Sequence, residues 1–81
     1  MNNLEKTEKT FKINNVKFMA VSIHSRNFAK GIYNVIIYPM SYYNYKNLIR
    51  TTLVSKNPEY AIEIAKEYNI NKLIKISKEI K

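Results

Sequence analysis

The sequence of 81 residues contains no cysteine, no aspartate and only one glycine. Without cysteine, neither a disulfide nor a thiolate metal site is available to hold the fold together. The six acidic residues are all glutamates, and they lie in separate parts of the chain, which argues against a carboxylate metal centre. A single glycine is too few for a phosphate-binding glycine loop. We therefore expect no metal and no other cofactor.

Long apolar segments are also absent. The longest apolar run, residues 35–40, includes Pro39 and is far shorter than a membrane span. The first ten residues lack the apolar core of a secretory signal. With 46% hydrophobic residues the chain is globular rather than disordered. We expect a polar, mobile leader over residues 1–10, a single domain over residues 11–81, a cytoplasmic location and no membrane partner.

Acidic residues are missing altogether from residues 11–56, although the whole chain has a formal net charge of +8. The seven basic residues of this region are Lys12, Lys17, Arg26, Lys30, Lys46, Arg50 and Lys56. A positive charge of this size favours nucleic acid or an acidic protein surface as a partner.

Tyrosine is concentrated in residues 33–45, which hold five of the seven tyrosines. Tyr33 and Tyr38 fall within a strand-like segment and are expected to pack the sheet. Tyr42, Tyr43 and Tyr45 follow Pro39 and are expected at the surface. Aromatic rings beside basic residues can stack unpaired bases, and they can equally form a protein-binding hot spot.

The first half of the chain predicts antiparallel strands. In FKINNVKF, a two-residue turn at Asn14-Asn15 pairs Phe11 with Phe18, and a single bulged strand is the alternative. The following strand has apolar residues on both faces, which indicates either a central strand or a bulge. Two further strands are predicted over residues 32–38 and 48–55, from their β-branched and aromatic residues.

The second half predicts one helix. Asn57 caps it, Pro58 occupies its first position, and its core-facing stripe is Ala61, Ile64, Ala65 and Tyr68. Residues 71–81 fit a short closing strand slightly better than a second helix. The predicted class is α+β, with a small antiparallel sheet of three to five strands and one helix on one face. The outer side of that helix is acidic, so a polyanion is expected on the sheet side.

These features predict a non-enzymatic protein that binds single-stranded DNA or RNA through an acid-free basic sheet and a tyrosine-rich loop. The candidate binding residues are Lys12, Lys17, Arg26, Lys30, Tyr42, Tyr43, Tyr45, Lys46 and Arg50. A small phage or plasmid accessory protein, similar in role to an anti-CRISPR inhibitor, is the alternative. It would bind a host protein or a nucleoprotein complex through the tyrosine patch.

A metal-independent ribonuclease toxin is a minor alternative, because His24, Arg26, Tyr43, Lys46 and Arg50 are residue types that such enzymes use. No catalytic residue is assigned, since nothing in the sequence fixes their geometry. A homodimer, through a sheet edge or the tyrosine loop, would add buried area to a small core.

Overall fold

A computed structural model describes residues 4–25, 31–41 and 48–80. They form four strands, β1 (Leu4–Ile13), β2 (Val16–Ser25), β3 (Ile32–Pro39) and β4 (Ile49–Val54), followed by helices α1 (Pro58–Tyr68) and α2 (Ile70–Ile80). The strands make one antiparallel sheet in the order β1-β2-β3-β4. The predicted α+β class and antiparallel sheet are confirmed, with two helices in place of one.

The hairpin between β1 and β2 follows the predicted register. Asn14 and Asn15 have φ values of 51° and 68°, which are the positive values of a two-residue hairpin turn. Phe11 is paired with Phe18, and their rings stack with centroids 5.5 Å apart. The bulged single strand is therefore excluded. The apolar residues on both faces of β2 are explained by its central position between β1 and β3.

The polar leader needs a correction, because β1 begins at Leu4 and pairs with β2 along its whole length. Residues 4–10 read as a leader because they contain almost no apolar residue. Their backbone nevertheless has a long partner strand, whose hydrogen bonds do not depend on side-chain polarity. The sheet consequently includes Glu5 and Glu8. It is acid-free only over residues 11–56.

One face of the sheet is covered by the helices. The buried apolar core comprises Val16, Phe18, Ala20, Val35, Ile37, Ile49, Ala61, Ile62, Ala65, Leu73 and Ile76. Helix α1 contacts all four strands, and its start agrees with the prediction: the Asn57 side chain accepts a 2.7 Å hydrogen bond from the Tyr60 backbone N–H. The predicted stripe is wrong at Tyr68, which is 81% exposed, whereas Asn69 is buried.

The closing strand predicted for residues 71–81 is wrong, since residues 70–80 form helix α2. In a helix, Ser77 falls on the apolar stripe, and this polar residue made the helical interpretation of residues 71–81 less favourable. In the fold its buried hydroxyl donates to the Ile74 carbonyl at 2.6 Å and accepts a 3.0 Å hydrogen bond from the Asn14 amide. A polar group whose hydrogen bonds are made can be buried on a helix stripe.

Asn69 joins the two helices. Its backbone N–H donates to the Ala65 carbonyl at 3.1 Å, and its carbonyl accepts from the Leu73 N–H at 2.9 Å. Its side-chain amide donates to the Ala65 carbonyl and to the Thr51 hydroxyl, both at 2.8 Å. Asn69 therefore ends α1, supports the first turn of α2 and ties both to β4.

Candidate nucleic-acid interface

The face of the sheet opposite the helices, here called the open face, has an apolar centre and charged edges. No described helix packs on it. The central strands β2 and β3 place half-buried apolar residues there, namely Met19, Val21, Ile23, Ile32, Ile36 and Tyr38. The outer strands contribute Lys6, Glu8 and Lys12 from β1 and Arg50 from β4, while β2 adds Lys17. The open face is basic at its margin and is not acid-free.

Three of the predicted binding residues lie on this open face. Lys12 and Lys17 are exposed and directly opposite each other across β1 and β2. Arg50 is exposed on β4, at the other edge of the sheet. Strand β3 therefore lies between the lysine pair on β1 and β2 and Arg50 on β4. The other six predicted residues, Arg26, Lys30, Tyr42, Tyr43, Tyr45 and Lys46, lie outside the described residues.

Arg50 also borders a groove between β4 and α2 that the sequence did not predict. The groove has a volume of about 400 Å³, and the basic residues Arg50, Lys72 and Lys75 are part of its lining. Leu48, Ile49 and Ile76 supply its apolar wall, and Glu79 is its single acidic group among the described residues. This basic groove combines three basic residues from two separate elements, β4 and α2.

Lys72 and Lys75 were missed because residues 71–81 were interpreted as a strand. In a strand, residues three apart point to opposite faces, whereas in a helix they lie on the same side. The signal that identifies them is the helical repeat of Ile70, Leu73, Ile74 and Ser77. Once this segment is a helix, Lys72 and Lys75 are one turn apart and both face β4.

The outer surface of α1 is acidic, as expected. Glu59 and Glu67 are exposed, and the Glu63 carboxylate lies 3.8 Å from the Lys9 ammonium of β1. Lys66 turns toward the sheet, with its ammonium 4.9 Å from the centre of the Phe11 ring. The outer side of α1 and the lining of the basic groove at α2 therefore carry opposite charges.

His24 lies on the helix-covered face, at the end of the sheet away from the basic groove. Its Nδ1 is 3.6 Å from the Glu5 carboxylate, and its ring is 5.1 Å from that of Tyr33. Arg50 projects from the opposite face, so the fold does not bring these two ribonuclease candidates together. The others, Arg26, Tyr43 and Lys46, are outside the described ranges, and the ribonuclease alternative stays a prediction.

Among the residues that the structure describes, no three histidine, aspartate or glutamate side chains cluster as metal ligands. No helix in this part of the chain is long and apolar enough to cross a membrane. Comparisons with protein-family models, curated proteins and solved structures found no match for the chain.

Proposed function

We propose that the protein is a non-enzymatic nucleic-acid-binding protein that holds a phosphate backbone in the basic groove. The observation that carries this proposal is the convergence of Arg50, Lys72 and Lys75 on one groove. Lys and Arg side chains bind phosphates by charge-assisted hydrogen bonds and release condensed counterions from the nucleic acid. A cytoplasmic location, where RNA is abundant, belongs to the same proposal.

The form of nucleic acid follows from the size of the groove and from the sequence. The groove presents a short row of cations with an apolar wall, which suits a flexible single strand better than a rigid duplex. The tyrosines at positions 42, 43 and 45 closely precede Leu48 in the sequence, and stacking of bases on them stays a prediction. We therefore propose single-stranded RNA or DNA as the ligand.

The test is fluorescence anisotropy with short single-stranded and double-stranded RNA and DNA over a series of salt concentrations. Three phosphate contacts predict that affinity for a single strand falls about 20-fold between 50 and 200 mM salt. Lys72→Glu and Lys75→Glu should each weaken binding to every sequence alike, because phosphate contacts carry no base information.

A matched control is Lys56→Glu. Lys56 is exposed and follows the end of β4 that is away from the basic groove, so this variant changes the net charge equally. Equal weakening by Lys56→Glu would show that total charge, and not the groove, accounts for the binding. If no oligonucleotide binds even at low salt, the nucleic-acid proposal is wrong.

The accessory or inhibitor function, through tyrosines 42, 43 and 45, falls outside the described residues and stays a prediction. It differs from the proposal in its expected salt dependence. A protein partner held by tyrosines would be lost on Tyr43→Ala and would respond little to salt.

A further inference from the structure

The open face has the composition of an interface rather than of a solvated sheet. A sheet with one face in water normally alternates apolar residues inside with polar residues outside. Here β2 and β3 place Met19, Val21, Ile23 and Ile36 on the side away from the helices. A contiguous apolar centre with a charged margin is the usual anatomy of a protein interface.

The charges on this face are arranged along one row that crosses all four strands. Glu8 pairs with Val21, Val21 with Ile36, and Ile36 with Arg50. The row therefore has a negative charge at one edge strand, two apolar residues in the middle and a positive charge at the other edge strand. Neither Glu8 nor Arg50 forms an ion pair within the described ranges.

We propose that the open face binds the same face of a second copy, with a two-fold axis close to the strand direction. A rotation of 180° about this axis places β1 over β4 of the second copy and β2 over its β3. Glu8 then faces Arg50 of the second copy, Val21 faces Ile36, and both pairs occur twice. The row is self-complementary, which is the requirement for an isologous two-fold interface.

A second two-fold axis is possible in the plane of the interface, and it runs along the row, across the strands. It would place Glu8 over Glu8 and Arg50 over Arg50 of the second copy. Like charges that meet across an interface oppose association. The open face has a recess of about 430 Å³ that is lined in part by Ile23, Ile36 and Arg50. In the first arrangement this recess faces mainly the β1–β2 half of the second copy.

The available area fits a reversible dimer. Four strands at their usual spacing and about eight residues in length make a face of about 19 by 26 Å. Two such faces bury about 1,000 Å², which is the lower limit for a specific interface. Sheets that pack in this way lie about 10 Å apart, within reach of a glutamate and an arginine side chain.

The experiment is analytical ultracentrifugation of the wild type and of charge-reversal variants over a concentration series. The wild type is expected to dimerise. Glu8→Arg places two arginines against each other at each contact, and Arg50→Glu places two glutamates there. Each variant alone should dimerise at least about tenfold more weakly.

An equimolar mixture of the two variants should recover dimerisation. In the mixed pair, the introduced arginine of the Glu8→Arg copy faces the introduced glutamate of the Arg50→Glu copy. At the second contact, the native Arg50 of the first copy faces the native Glu8 of the other. The double variant Glu8→Arg/Arg50→Glu should likewise dimerise as the wild type does. A matched control is Glu67→Arg, which makes the same charge change on the exposed outer side of α1 and should leave the dimer unchanged.

Circular dichroism checks that each variant is folded, and all three charged positions are exposed. A wild type that stays monomeric at every concentration, or single variants that recover nothing when mixed, would overturn the proposal. The two proposals can be tested apart, since Lys72→Glu should weaken oligonucleotide binding and leave dimerisation intact. Arg50 borders both surfaces, so only Glu8→Arg isolates the open face.

Discussion

Replacement of Ser22 by alanine should stabilise the protein. Ser22 lies on the helix-covered face of β2, where it is 1% exposed. Its hydroxyl oxygen has no hydrogen-bond partner among the residues that the structure describes. A buried hydroxyl without a partner costs about 1–3 kcal/mol, because it loses its hydrogen bonds to water and gains none. Ser22→Ala removes that group.

The expected gain is about 1 kcal/mol, since the small space left by the oxygen costs only a few tenths of a kcal/mol. For a domain of this length, such a change raises Tm by about 4–8 °C. Urea and thermal unfolding, followed by circular dichroism, measure both values. An unchanged or lower free energy of unfolding would mean that the Ser22 hydroxyl is hydrogen-bonded in the native state.

Ser77 is the matched control, because it is also a buried serine but its hydroxyl bonds both the Asn14 amide and the Ile74 carbonyl. Ser77→Ala removes the contact between the β1–β2 turn and α2. The free energy of unfolding should fall by about 1 kcal/mol. The two serine substitutions thus have opposite predicted signs. If both changed stability in the same direction, the argument from hydrogen bonding would fail.

Two further predictions concern backbone positions with positive φ. Asn15→Ala should lower the free energy of unfolding by about 1 kcal/mol, because φ is 68° there, whereas Asn15→Gly should retain at least the wild-type value in urea unfolding. Gly31→Ala should lower it by about 1–2 kcal/mol, because φ is 83° and the added Cβ would lie 3.3 Å from the Ser55 carbonyl oxygen. Unchanged thermal unfolding of Gly31→Ala would show that this left-handed conformation is absent in solution.

The features that the sequence predicted well depend on local rules. The turn at Asn14-Asn15 sets the register of the hairpin, and Asn57-Pro58 marks the start of α1. Each of these signals needs only a few adjacent residues. The two apolar faces of β2 likewise indicated either a central strand or a bulge, and the central position is the one observed.

The features that were missed depend on partners distant in sequence. Ser77 weakened the helical pattern because a serine is unexpected on an apolar stripe. Its hydrogen bond with Asn14 makes the burial acceptable, but Asn14 is 63 residues away and the local sequence does not reveal the contact. Residues 4–10 have the composition of a leader. They form a strand because β2 is long enough to pair with all of them, which their own sequence does not show. The basic groove depended on the helical assignment of α2, since only then do Lys72 and Lys75 meet Arg50. Of the predicted binding residues that the structure describes, Arg50 lines the groove, while Lys12 and Lys17 lie elsewhere on the sheet.

The order of the strands has a consequence for synthesis on the ribosome. Every pair in the described sheet joins strands that are consecutive in the chain, so each strand emerges directly after the neighbour with which it pairs. The helices that cover Phe18 and Ile37 are translated after all four strands. Until both helices have emerged, strands that have already paired lack the helical cover of their buried face, and its apolar residues favour aggregation.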